Sequence, residues 1–326
     1  MLTKMKILVT GANGFIGQRL CETLLKAGYF VRGAIRHLPS GVHSLKSSNN
    51  ADFVFIDDIS QETNWSMALK GIDCIIHLAA RVHIMKETSG DTFTVFRKVN
   101  AEGTSLLARM AADAGVKRFI FLSTVKVNGE GTEKHQFTER DTPNPHDDYS
   151  TSKWEAEQAL HNISDSVGLE VVILRPPLVY GPGVKANFLR LLDMVNKNTP
   201  LPLSLVNNKR SMIYIGNLVD AIVRCIEHPV IANQTFLVND GQDVSTPELI
   251  RMIARAMGKK ARLFPCPVSL LKMIGKVAGK SAEIERLVNS LQIDSTKIRR
   301  TLNWIPPFTV EEGILETVKG YKSRVL

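Results

Sequence analysis

Along the first two hundred residues, short apolar runs rich in β-branched side chains alternate with longer stretches whose apolar positions recur at helical spacing. The runs predict strands at Ile7 to Thr10, Phe30 to Ile35, Phe53 to Ile56, Cys74 to His77, Phe119 to Ser123 and Val171 to Arg175. The longer stretches predict helices over Phe15 to Ala27, Thr92 to Ala114 and Asp147 to Val167. Such alternation predicts an α/β fold, a doubly wound parallel sheet with helices on both faces. After Arg175 the texture changes: the clusters Pro176 to Gly183 and Thr199 to Leu203 interrupt the pattern, and short helices broken by loops follow from Thr246.

The first strand runs into the turn GANGFIG, in which Gly11, Gly14 and Gly17 alternate with Asn13, Phe15 and Ile16. Glycines between a strand and a helix let the backbone approach a pyrophosphate, whose charge then lies at the positive helix end. The chain is therefore expected to hold a Rossmann-type NAD(P)-binding domain over residues 1–177, which can regain short segments from further on, and mainly a substrate lobe over 178–326. The second strand ends in Arg36 with no acidic residue, so its guanidinium is expected to pair with the 2′-phosphate of NADP, with NAD as the alternative cofactor. Asp58, beyond the third strand, is placed to accept from the adenine.

Tyr149 and Lys153 stand four residues apart, on one helix face. An ammonium near a phenol, helped by a cofactor cation, lowers the phenol pKa and equips it to shuttle a proton as a hydride moves. That is carbonyl/alcohol redox chemistry.

Composition narrows the setting. The chain has 326 residues, of which 44% are hydrophobic and 22% charged, as in ordinary globular proteins. No apolar run is long enough to span a membrane, and the first strand begins too early for a signal peptide, which points to a cytoplasmic enzyme. Cys21, Cys74, Cys225 and Cys266 are scattered and read as buried thiols, with no metal-ligand spacing. The net charge of +9 resides in residues 251–300, where twelve Lys/Arg face Glu283, Glu285 and Asp294. Aromatic content of 6% and the lack of a recognition motif argue against nucleic acid. Within 259–286, Leu270, Leu271, Ile274 and Val277 alternate with Lys272, Lys276 and Lys280, a pattern suited to weak peripheral contact with anionic lipid.

TGANGFIG, Asp58-Ile59, His77-Leu78-Ala79-Ala80, Val99-Asn100, Leu122-Ser123-Thr124, YSTSK and LRPPLVYGPG occur in the order found in extended short-chain dehydrogenases/reductases. The chain resembles the nucleotide-sugar 4-epimerase and 4-ketoreductase branch of the NAD-dependent epimerase/dehydratase family over essentially its whole length. The resemblance implies Thr124, Tyr149 and Lys153 as catalytic residues, and Ile59, Leu78, Ala79, Ala80, Asn100, Ser123 and Pro176 beside the cofactor. It also implies a nucleotide-diphosphate sugar as substrate and a homodimer pairing the two long helices. Arg81, His83, Lys126, Asn187 and Arg210 are the expected substrate contacts, with Arg210 on the diphosphate. Two departures stand out: Leu178 replaces the branch's usual asparagine, for which Asn187 is the candidate substitute, and Asn217 replaces an aspartate. Arg36 favours exchangeable NADPH and hence a 4-ketoreductase of a UDP-4-keto-6-deoxy-N-acetylhexosamine. A UDP-glucose or UDP-N-acetylhexosamine 4-epimerase is the alternative, and a ketoreductase of steroids or flavonoid-like ketones a further one.

Overall fold

The computed structural model describes residues 5–36, 49–82 and 92–325. Its main sheet contains β1 (Lys6–Thr10), β2 (Phe30–Ile35), β3 (Ala51–Phe55), β4 (Cys74–His77), β5 (Arg118–Leu122) and β6 (Glu170–Arg175). A seventh strand, β9 (Gln234–Leu237), joins β6 from the later part of the chain, giving the order β3-β2-β1-β4-β5-β6-β9 with every pair parallel. Two short strands, β7 (Leu178–Tyr180) and β8 (Met212–Tyr214), pair separately. The central strands are apolar throughout because helices cover both faces of the sheet. β1 lies between β2 and β4, so the winding reverses there and a crevice opens at the carboxyl ends of the strands.

The helices are α1 (Phe15–Lys26), α2 (Ser66–Leu69), α3 (Thr92–Arg97), α4 (Gly103–Asp113), α5 (Asp148–Val167), α6 (Ala186–Asn196), α7 (Ile215–Glu227), α8 (Thr246–Met257), α9 (Val268–Val277), α10 (Ser281–Val288), α11 (Thr296–Leu302) and α12 (Val310–Val325). The single helix expected over 92–114 is interrupted by a wide π-helical turn at Lys98–Glu102. Two constraints meet there. Asn100 points inward to bond three partners, and Gly103 passes so close to Ile59 that a Cβ would collide with it. The third strand begins at Ala51 rather than Phe53 because its pairing with β2 starts at Val31.

The second lobe is organised by Asp240, which accepts from Tyr180 at 2.7 Å, from the Tyr214 amide at 2.8 Å and from Asn217 at 2.7 Å. Asn217 also exchanges hydrogen bonds with the Phe308 backbone. This explains the departure at 217: an aspartate there would set two carboxylates against each other, whereas an amide donates to one. All four cysteines are buried free thiols. The exposed positions of α4 and α5 include Arg109, Asp113, Gln158, Asn162 and Asp165. Among the described residues of these helices, Val167 is the large apolar side chain open to solvent, which leaves pairing of the helices to polar contacts.

A buried ion pair joins α5 to β6. Glu157 receives two bonds from the Arg175 Nε, at 3.0 and 3.2 Å, and one from its Nη2 at 2.5 Å, and both side chains are buried. Ser123 also donates to Glu157, and Arg175 reaches Asn128 at 3.0 Å. Removing one partner of such a pair strands a buried charge, so Glu157→Leu is expected to cost about 3–5 kcal/mol. Urea unfolding of the variant checks this, and a loss below about 1 kcal/mol would show that the pair is dispensable.

Candidate active site

The site is assembled from the carboxyl ends of β1, β4 and β5 and the first turns of α1 and α5. After β1, Gly11 adopts φ +67°, and a Cβ there would stand 3.0 Å from the Ala79 nitrogen, so glycine lets the turn press against the end of β4. Gly14 donates to the Gly11 carbonyl at 2.9 Å, and α1 starts with no side-chain cap and no acidic residue in its first turn. Its amino-terminal N–H groups are therefore free to meet an anion.

Beyond this turn lies a cavity of about 580 Å³, lined by Gly11, Asn13, Gly14, Arg36, Asp58, Ile59, Leu78, Ala79 and Ala80 among others. Volume, bare helix end and the carboxylate of Asp58 fit a dinucleotide. Arg81, expected at the sugar, also lines this cavity, and its backbone is held at both ends by Asn100, at 2.8 and 3.0 Å. Phe15 and Ile16 open α1, where both pack against the core and support the turn from behind. His83 lies outside the described residues. Arg32 is locked to Asp52 at 2.7 Å, while Arg36 is exposed at the rim.

A hydrogen-bond relay ties the cavity wall to the reactive helix. His77 contacts Thr10 through Nδ1 at 2.7 Å and Thr104 through Nε2 at 3.0 Å. Thr104 donates its own proton to the Asn100 carbonyl at 2.7 Å, so it accepts from His77, which must carry its proton on Nε2. Nδ1 then accepts from Thr10, whose oxygen accepts from the Ala79 amide at 3.2 Å. Asn100 continues the relay to Ser152 at 3.0 Å, and Ser152 donates to the Tyr149 carbonyl at 2.7 Å. Burial, and then the Lys153 charge, push His77 down to about 3, so the ring stays neutral.

Helix α5 begins with a capping box between Asp147 and Ser150, immediately before Tyr149. Tyr149, Lys153 and Glu157 follow at successive turns of one face. Tyr149 packs edge-on against Phe96, and the Lys153 ammonium sits 3.9 Å above the Phe121 ring. Burial pushes the Tyr149 phenol up to about 12, with the Asp147 carboxylate adding to the rise. Burial also pushes Lys153 down to about 7, opposed by Glu157. Burial thus disfavours both charged forms, and the lowering of the phenol expected from Lys153 includes the charge of a cofactor cation.

Thr124 caps the short turn Val125–Val127 at the end of β5. Ser123 is turned to Glu157, and the Pro176 carbonyl receives the Val125 amide at 2.9 Å, closing the floor of the crevice. Lys126, expected at the substrate, instead binds Asp147 at 2.5 Å and Glu130 at 2.9 Å, so its charge supports the start of α5. Burial would raise Asp147, but bonds from Lys126 and Ser150 outweigh it and hold the carboxyl well below the usual range.

Arg210 stands just before β8. It bridges to Val244 and Leu291, and its Nη1 donates to the Asn289 carbonyl at 3.1 Å. The neighbouring segment joins the catalytic side through the bridge of Ile293 to Phe137 and the bond of Asn128 to the Thr138 carbonyl at 2.9 Å. Burial, and then the charge of Arg286, push Arg210 down. The Arg286 charge thus lies near enough to Arg210 to add to the effect of burial. Sequence reasoning missed Arg286; its signal was an arginine at the end of the basic segment, just ahead of the Asp294 to Lys297 motif. Asn187 is exposed on the first turn of α6, and no hydrogen bond among the described residues joins it to Arg210.

Residues 7–238 match the NAD dependent epimerase/dehydratase family, and the chain belongs to that family. It is 45% identical to a UDP-glucose 4-epimerase of Vibrio cholerae over 97% of this chain and 95% of that protein. It is 26% identical to an N-acetyl-α-D-glucosaminyl-diphospho-ditrans,octacis-undecaprenol 4-epimerase of Escherichia coli O157:H7, over 96% of this chain and 94% of that one. The fold superimposes on a UDP-glucuronic acid 4-epimerase from Bacillus cereus solved in complex with NAD, with a TM-score of 0.81 and 25% identity, covering 99% and 100% of the two chains. The preference for NADP expected from Arg36 finds no support in these relatives.

The depressed His77 has a consequence for stability. Between its unfolded value near 6.5 and its folded value of about 3, the unfolded chain binds a proton that the folded chain refuses. Stability therefore falls as pH drops through that window and is unaffected by this group above it. His77→Asn, which cannot titrate, is expected to lose about 1–2 kcal/mol less than the unaltered protein between pH 7 and pH 5. Urea midpoints at the two pH values measure this; equal losses would show that the ring is not buried neutral.

Proposed function

We propose that this protein is an NAD-dependent 4-epimerase of UDP-hexoses. The observation that carries the reading is the 45% identity to a UDP-glucose 4-epimerase along nearly the whole of both chains. The alternative weighed against a 4-ketoreductase in the sequence is thereby the better supported. The ketoreductase reading rested on Arg36, and an exposed arginine at a cavity rim is a weak 2′-phosphate site because solvent screens it. A steroid or flavonoid ketone would leave Arg210 and Arg286 without an anion.

When bound, NAD would supply the hydride acceptor and returning donor and a positive charge that favours the phenolate. Gly11, Gly14 and the bare amino end of α1 hold its pyrophosphate, Asp58 its adenine, and Lys153 its ribose. Tyr149 takes the proton from the C4 hydroxyl and returns it after the 4-keto sugar has turned over. Thr124 donates to the reacting oxygen and steadies it in both orientations. Arg210 and Arg286 grip the diphosphate, so the sugar can rotate without leaving.

Cofactor released from the purified protein is expected to be NAD, and UDP-glucose and UDP-galactose, or their N-acetyl forms, should interconvert with no added nicotinamide. Stoichiometric consumption of NADPH on a 4-keto sugar would instead establish the reductase. Tyr149→Phe is expected to lower kcat by about 10²–10⁴-fold while leaving the NAD content unchanged. Arg210→Ala is expected to raise KM for the UDP-sugar by roughly tenfold or more, the loss of a charge-assisted bond, with a smaller effect on kcat. Unchanged kinetics in either variant would remove that residue from the mechanism.

A further inference from the structure

Helix α9 carries an outward apolar stripe that no other described residue covers. Its inner side is fixed by α10: Leu271 is buried, and a Cβ at Gly275 would stand 2.7 Å from Ile284 Cγ1. Helical spacing then turns Leu270, Met273, Ile274 and Val277 outward together, at i, i+3, i+4 and i+7. Met273, Ile274 and Val277 are 57%, 51% and 87% exposed. Leu271, expected in this stripe from the sequence, belongs to the core side, and Met273 takes its place. Phe264, in the segment leading to α9, adds another exposed ring. Lys276 stands at the edge of the stripe beside Met273 and Lys280 just past the end of the helix, while Lys272 is turned to the far side; all three are exposed.

The charge distinguishes between possible occupants. Residues 259–286 hold seven Lys/Arg against Glu283 and Glu285. Lysine is depleted in the cores of protein interfaces, whereas apolar side chains bordered by lysines suit the boundary between acyl chains and anionic headgroups. No helix among the described residues is long and apolar enough to cross a membrane, so the contact would be peripheral. We propose that α9 seats the protein on an anionic bilayer surface, its apolar stripe among the acyl chains and Lys276 and Lys280 on the headgroup phosphates. Packing on α10 holds the helix folded beforehand, which removes the ordering cost an isolated ten-residue helix would bear. Because α10 also carries Arg286, the anion-gripping end of the crevice lies within one helix of the lipid.

The test is co-sedimentation of the full chain with vesicles of phosphatidylglycerol and phosphatidylcholine, against phosphatidylcholine alone, at low salt. Binding to the anionic vesicles is expected. It should fall about tenfold in Met273→Asp/Val277→Asp and by a similar factor in Lys276→Glu/Lys280→Glu. Elution volume and turnover of soluble UDP-sugar should not change, so the result stands apart from the reading of the active site. Failure of the unaltered protein to bind at low salt, variants that bind as well as it does, or a change in oligomeric state showing that a second copy covers the stripe would each overturn the proposal.

Discussion

The buried pair of Glu157 with Arg175 is the interaction on which the arrangement of the site depends. It pins the middle of α5 to the end of β6, and through Asn128 it reaches the loop that follows Thr124. Lys153 lies one turn before Glu157, and Tyr149 one turn before that, so clamping the carboxylate sets the height and rotation of both. Glu157 also supports the charge of Lys153 against burial. Position and protonation at the site thus share one structural cause.

The relay through His77 fixes the opposite wall. Each of its groups has a single consistent role as donor or acceptor, and a neutral ring keeps it so. It links β1, β4, the π-helical turn and α5, the elements that enclose the crevice where the sheet reverses. The crevice walls are therefore rigid on the side of the glycine turn. On the other side the proposed grip on the diphosphate comes from Arg210 and Arg286, in the later part of the chain. A rigid reacting half and an anion grip at a distance suit chemistry in which a sugar must turn while its diphosphate stays in place.

Much of this was legible in the sequence because it is local. The glycine turn, the spacing of Tyr149 and Lys153 and the apolar strands each follow from a few consecutive residues, and five of the first six strands lie within a residue of their expected bounds. What escaped depends on contacts distant along the chain. The π-helical turn exists because Asn100 answers to Arg81 and Ser152, and Gly103 to Ile59. Lys126 was drawn to the substrate by its place after Thr124, yet Asp147 claims it. Arg286 is brought to Arg210 by the packing of α10. The upward push of burial on Tyr149 was hidden for a related reason, since burial is a property of the whole fold.

The account rests on a hydride that leaves C4 and returns to the same carbon. A UDP-hexose deuterated at C4 tests this most directly, with the epimer isolated after turnover in the presence of unlabelled NAD and NADH. Full retention of deuterium at C4 in the product, with none in the dinucleotide pool, is the expected result. Transfer of deuterium to the pool, or accumulation of a 4-keto sugar with reduced dinucleotide released, would contradict it and make the protein a net oxidoreductase.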